Sequence, residues 1–283
     1  MSKCHSFACS SVRRLVPAVL LLLLTVFGLN SQQALGASTL SKILAKKEIK
    51  IGMEPGFLPF EMRTKTGEYI GFDVEMMNAF AKSIGVKAKY ISTKWDGIIP
   101  GLMAKKYDVI VSGMTITEAR RKAVLFSDPY YKAGLGVLVS PETKKKVRDL
   151  KDLDKKNYKI VVKLGTTGDI FVGKAFSKAK VRKLDNEADA AQSVLLGRVD
   201  AFVYDRPYLE LYRSSKKGKV DLLPGFQSEE FFGLAARKKD KDLIMAFNKF
   251  LKAWKADKVN GYDRSYKSIF VDMTWKTNYP SMF

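Results

Sequence analysis

Along this 283-residue chain the apolar positions switch repeatedly between a strand rhythm and a helix rhythm. Residues 48–53 read as a strand, Gly67 marks a turn, and residues 69–72 resume an extended run. Asp73 reads as an N-cap, with Val74, Met77, Phe80 and Ile84 following at helical spacing until Gly85 ends the helix. Residues 89–92 form a short strand. Asp96 is placed to cap a second helix, in which Pro100 is tolerated only near the first turn. Residues 108–112, with Val109-Ile110-Val111, read as a buried strand. A β-α-β-α-β order predicts a mostly parallel sheet with helices on both faces.

A second unit of the same kind follows Tyr130-Tyr131. Residues 134–140 are extended, 144–156 are charged and expected at the surface, and 158–162 form a strand. Gly165-Thr166-Thr167-Gly168 leads into a helix over 169–176, and a further helix covers 188–196. Residues 201–204 form a strand, followed at once by Asp205 and a helix from Pro207. The apolar strand 231–235 and the helix 242–255 complete the pattern. The chain shows no repeat and no long linker. The expectation is a two-lobed α/β protein, with residues 37–131 plus 232–283 in one lobe and 132–231 in the other. Parallel sheets bind ligands beyond the carboxyl ends of their strands, which here places the site between the lobes.

The N-terminus has a different character. Lys3, Arg13 and Arg14 precede an apolar run over residues 15–29, then a polar stretch and the small-x-small site Ala34-Leu35-Gly36. This is the three-part pattern of a secretory signal, cut near Gly36/Ala37. The apolar run is shorter than the ~20 residues that span a bilayer. Without residues 1–36 the chain carries 47 Lys and Arg against 29 Asp and Glu, a formal +18. It also loses Cys4, Cys9 and His5, the only residues of their types. Disulfides, Cys/His zinc sites, Cys nucleophiles and histidine acid–base chemistry are thereby excluded, and no metal or cofactor is expected. The lysines are scattered in pairs such as Lys105-Lys106 and Lys238-Lys239 rather than gathered in one block, so the charge reads as a solvated surface and not as a nucleic-acid interface.

Four stretches carry more than a pattern: GEYIGFDVEMMNAFAKSIG at 67–85, WDGIIPGLMAKKYDVIVSGMTITEARRKAVLFSDPYY at 95–131, VVKLGTTGD at 161–169 and GRVDAFVYD at 197–205. In order and spacing they resemble the polar amino-acid-binding proteins of bacterial ABC importers, solute-binding family 3. The resemblance spans residues 43–270 and is less clear over 271–283. It implies the two-lobed periplasmic-binding-protein fold of type II. It also implies a periplasmic, monomeric protein that captures a free amino acid and delivers it to a membrane permease without a reaction.

A free amino acid presents a carboxylate and an ammonium, and the resemblance assigns residues to both. Arg120 stands at the carboxylate position, where a guanidinium donates two parallel N–H bonds; the plain alternative is a surface arginine. Thr115 and the Gly113 backbone supply further hydrogen bonds. Thr166 and Thr167 open a helix whose free amides suit an anion, or Thr167 simply caps it. Asp205 matches the ammonium acceptor, or caps the helix at Pro207. Phe57 and Trp95 match positions that stack on the ligand, or belong to the core.

Glu54 and Lys163 match positions that touch the ligand side chain in some members. One acceptor and one donor suit an amide, so a polar uncharged side chain is expected, glutamine first. The other possibility is that Glu54 and Lys163 pair with each other. Two further functions stay open. One is a cyclohexadienyl dehydratase-like enzyme on the same fold, which needs a cleft acid. The other is a sensor that presents its ligand to a receptor.

Overall fold

The strand Glu48–Met53, β1, buries Ile49, Ile51 and Met53 completely because it has a neighbour on each side. A side chain at Gly52 within it would strike the Tyr107 ring at 2.5 Å. The computed structural model describes residues 37–279; the expected leader lies outside them. After β1 come β2 (Met62–Arg63), β3 (Tyr69–Ile70), β4 (Lys87–Ser92), β5 (Val109–Ile110), β6 (Val124–Phe126) and β7 (Tyr131–Ala133). They are followed by β8 (Leu135–Val139), β9 (Lys159–Lys163), β10 (Lys180–Leu184), β11 (Ala201–Asp205), β12 (Asp221–Leu222), β13 (Glu230–Phe232) and β14 (Ala235–Arg237).

Two five-stranded sheets result. The first has the order β4-β1-β5-β14-β6 and the second β10-β9-β11-β8-β12. In each, one strand runs against the rest: β14 is antiparallel to β5 and β6, and β8 to β11 and β12. The remaining pairs are parallel, as the alternation of strands and helices requires. Helices cover both faces. On the first sheet, helix Phe72–Ser83 packs with Lys241–Ala256, and Phe80 meets Phe247 and Phe250 at 5.2 and 5.4 Å between ring centroids. The opposite face buries Ile98, Leu102 and Tyr107 around Ile110. On the second sheet, Val172 packs with Ile160 and Val162, whereas Ala190, Ala191 and Val194 pack with Val161 and Phe202. β6 leads into β7 and β13 leads into β14. These two crossing strands pair with each other, Glu230 opposite Ala133 and Phe232 opposite Tyr131.

Five local expectations change. Asp96 does not cap the second helix: it lies inside the turn Trp95–Gly97, and Gly97 is the capping residue of the helix Ile98–Met103. Asp73 is not an N-cap: it lies inside the helix Phe72–Ser83, fully buried, and Gly71 is the capping residue. Residues 144–156 are not all surface, because Val147, Leu150 and Leu153 are buried in the second sheet's core. The apolar run at 231–235 is two strands in different sheets, broken at Gly233 and Leu234. β10 was not expected. Its Lys-Val-Arg-Lys-Leu sequence lacks an apolar rhythm because it is an exposed edge strand, where charged residues block further pairing.

Candidate functional site

The carboxyl ends of the parallel strands in both sheets converge on one cleft. β1 leads to Glu54, β4 to Trp95, and β5 to Ser112 and Gly113. β9 ends in Lys163, and β11 in Asp205. All ten residues singled out in the sequence line this cleft, together with Glu61, Ser112 and Tyr204.

Arg120 lies in the short helix Glu118–Arg121, whose N-cap Thr117 accepts the Arg120 amide. Its guanidinium donates to the Thr115 carbonyl at 2.9 Å and to the Gly165 carbonyl at 3.4 Å, and stands 5.1 Å from the Trp95 ring centroid. Burial lowers its pKa, against the pull of Asp205 and Glu230. The Trp95 indole N–H also donates to Gly165 O, at 3.1 Å. Phe57 is both core and wall: it lines the cleft while packing on Phe60, Tyr204, Tyr208 and Phe232.

Asp205 ends β11 and precedes the helix Arg206–Ser215, but its side chain makes no capping hydrogen bond. The carboxylate is 6% exposed and its Oδ1 has no partner. Burial and the neighbouring Glu230 push its pKa up to about 8, against the pull of Arg120. A buried acceptor left unpaired costs about 1–3 kcal/mol, so this group is held ready for a donor. Thr167 is likewise not the cap of its helix. Thr166 takes that role, accepting the Asp169 amide, while the first amides of the helix Thr167–Ala175 have no intrahelical acceptor.

Glu230, on β13, was missed in the sequence. One of its oxygens accepts the hydroxyls of Thr115, at 2.9 Å, and Thr167, at 2.8 Å; the other accepts Ser228 at 2.9 Å. Each hydroxyl has a single proton, so Thr115 and Thr167 keep only acceptor capacity for a ligand. They complement an ammonium, which leaves Arg120 and the helix amides for a carboxylate.

The Gly113 amide is likewise committed. It donates to Asp73 at 2.9 Å, as does the Tyr130 hydroxyl, also at 2.9 Å. Gly113 has φ +53, and a Cβ there would sit 2.3 Å from the Phe57 ring. Asp73 also bonds to Glu61. Glu61 Oε2 and Asp73 Oδ1 have no other partner, and the neighbouring Asp73 adds to burial in raising Glu61. Burial raises both, Asp73 to about 7 and Glu61 well above its usual range.

Lys163 is not free to meet a ligand side chain. Its ammonium contacts Glu54 and, at 2.6 Å, Glu187. Burial alone would lower its pKa, but the two carboxylates prevail and raise it. Glu54 is raised chiefly by burial. The expected amide-reading pair is therefore an ion triad, and the third member, Glu187, carried no signal in the sequence. The expectation of an amide side chain, which took Lys163 as a free donor, loses that support.

The profile of the bacterial extracellular solute-binding proteins, family 3, matches residues 49–280, including most of the tail where the sequence resemblance was less clear. The L-arginine-binding protein of Pseudomonas aeruginosa is 32% identical over 235 residues, covering 79% of this chain and 89% of that one. The L-cystine-binding protein TcyJ of Escherichia coli is 30% identical, covering 79% and 83%. Among solved structures, an ancestral amino acid-binding protein described as a precursor of cyclohexadienyl dehydratase aligns with a TM-score of 0.77 at 40% identity. It covers 83% of this chain and 100% of its own. A putative ABC-transporter binding component from Wolinella succinogenes, complexed with lysine, has the same TM-score and identity, covering 82% and 99%. With the two-sheet fold and the converging strand ends, these matches place the chain among the bacterial extracellular solute-binding proteins, family 3.

Proposed function

We propose that the protein captures a free polar amino acid outside the cytoplasm and hands it to a membrane ABC permease. The observation that carries this reading is the buried Asp205 carboxylate, with no partner for its Oδ1, in the same cleft as the Arg120 guanidinium. A zwitterion satisfies both: its ammonium meets Asp205 and the Thr115 and Thr167 oxygens, its carboxylate Arg120 and the amides at Thr167 and Gly168. Relatives named for binding arginine, cystine and histidine support the class. Relatives named as periplasmic proteins support a periplasmic location; removal of residues 1–36 and action as a monomer belong to the proposal.

The inner cleft encloses about 20 Å3, room for roughly one water. Entry of an amino acid therefore requires its walls to part. Trp95 and Arg120 would leave Gly165, and Glu54 would leave Lys163. The paired strands β7 and β13 join residues 37–131 plus 232–283 to residues 132–231, and are the natural hinge between two such lobes.

The dehydratase alternative draws on one observation, the buried Glu61 in the cleft, whose pKa burial raises well above its usual range. Against it, Asp205 gives the cleft an ammonium acceptor such an enzyme does not need. We therefore assign no reaction. A thermal-shift screen of refolded protein against the twenty amino acids tests the reading: at least one polar amino acid raises the melting temperature. Stabilisation by none of them, or steady release of phenylpyruvate or phenylalanine from prephenate or arogenate, overturns it.

A further inference from the structure

We propose that Glu187 sets the charge at the side-chain end of the cleft, and that this end takes a long cationic side chain of the kind arginine and lysine carry. The proposal rests on the amino-acid reading above. Lys163 alone would make this end positive. Its ammonium is instead held from the cleft side by Glu54 and from behind by Glu187, whose side chain is 5% exposed and does not line the cleft. One cation with two carboxylates leaves the group at net minus one. An anionic side chain would have to displace a carboxylate from Lys163. An amide would find the lysine already engaged. A cation gains from Glu54 without disturbing Glu187.

The shape of the cleft agrees. Past Glu54 and Trp95 it continues into a second cavity of about 240 Å3, lined also by Lys94, Asp96 and Asp185. Beyond the Glu54–Lys163 pair, two carboxylates, Asp96 and Asp185, face one ammonium, Lys94, along this path. The Trp95 indole borders both cavities and offers a π face to a passing cation. The inner end is fixed independently of this charge count by Asp205, buried and without a partner for Oδ1. A ligand anchored there by its ammonium must be long to reach the acidic cavity.

Calorimetric titration of the refolded wild type with L-arginine, L-lysine, L-glutamine and L-glutamate is the test. Arginine or lysine is expected to bind at least about tenfold tighter than the amide and the acid. Glu187→Gln, which leaves Lys163 with one carboxylate, is expected to shrink that ratio by about tenfold, and Glu187→Asp, which keeps the charge, to preserve it. The wild-type ratio decides even where a variant fails to fold: glutamine or glutamate binding as tightly as both cations overturns the proposal and leaves the amino-acid reading standing. An unchanged ratio in folded Glu187→Gln overturns the role of Glu187. Binding of none of the four also overturns the proposal. Binding of none of the twenty amino acids removes the reading beneath it as well.

Discussion

The two ends of the cleft are built from the same kinds of group in opposite conditions. At the inner end, Asp205 is a buried carboxylate with an oxygen left unpaired and another acid, Glu230, pressing on it. At the side-chain end, Glu54 and Glu187 are closed on Lys163, and the charges are met within the protein. The difference separates two uses of a buried charge. An unmet group stores unfavourable energy that a ligand relieves, and so contributes to affinity. A met group contributes to stability and fixes the field a ligand encounters.

Neutralising charge at each end should therefore have opposite consequences. Lys163→Met leaves two carboxylates facing each other in a buried site, and we expect a loss of about 3–5 kcal/mol in unfolding free energy. Denaturant titration at pH 7 measures it; a stability equal to wild type would mean that Glu54 and Glu187 are solvated without the lysine. Arg120→Lys replaces a two-pronged donor with a point charge. It should weaken amino-acid binding by about 2–5 kcal/mol, roughly 30- to 4000-fold, while the fold persists. Unchanged affinity by calorimetry would take Arg120 out of the site.

Asp205→Asn is the sharpest contrast. Binding of amino acids should fall by about 2 kcal/mol or more, yet the ligand-free protein should be no less stable at pH 7, since burial and Glu230 already favour the neutral Asp205 carboxyl there and the amide is its neutral counterpart. A variant that binds as before shows that the ammonium lies elsewhere. One that is markedly destabilised shows that Asp205 is structural.

The smallest effect is in protons. The Asp205 carboxyl stands at about 8 in the folded protein against an ordinary 3.8. Between those values the folded state holds a proton that the unfolded state has lost, so stability falls as pH rises through this window. Ligand ammonium favours the ionised form, so binding at pH 7 should release up to one proton, and affinity should rise towards pH 8. Titrations in buffers of different ionisation enthalpy count the released protons. A release that survives Asp205→Asn would point to Glu61 and Asp73 instead, which are shifted in the same direction.

How far these positions could be read without the structure depends on how local their causes are. The helix 241–256 was visible because Leu243, Phe247, Leu251 and Trp254 recur on one face. Asp205 was visible as a strand-end acid, although only its missing capping bond separates the ligand role from the plain one. Arg120 stood out through the family motif alone. Asp73 misled because an acid at the start of a helix is usually a cap. Its true partners, Gly113 and Tyr130, lie 40 and 57 residues further on. Glu61, Glu187 and Glu230 gave no signal at all, since nothing in a neighbouring sequence marks a carboxylate whose partners come from other strands. Glu54 and Lys163 were found, but their pairing turned on Glu187, 24 residues beyond Lys163.

The position of β14 also constrains the order of assembly. In the first sheet it lies between β5 and β6, so that sheet stays divided until residues 235–237 arrive, after all the strands of the second sheet. The second sheet draws all its strands from residues 135–222. As the chain emerges N-terminus first, the later-made sheet can gather its strands before the earlier one does. The half carrying Glu54 and Arg120 then acquires its last strand from a chain whose other half is already folded. Pulsed hydrogen exchange during refolding should protect Val161 and Val203 before Ile110 and Ala235; simultaneous protection would show that the two sheets form as one unit.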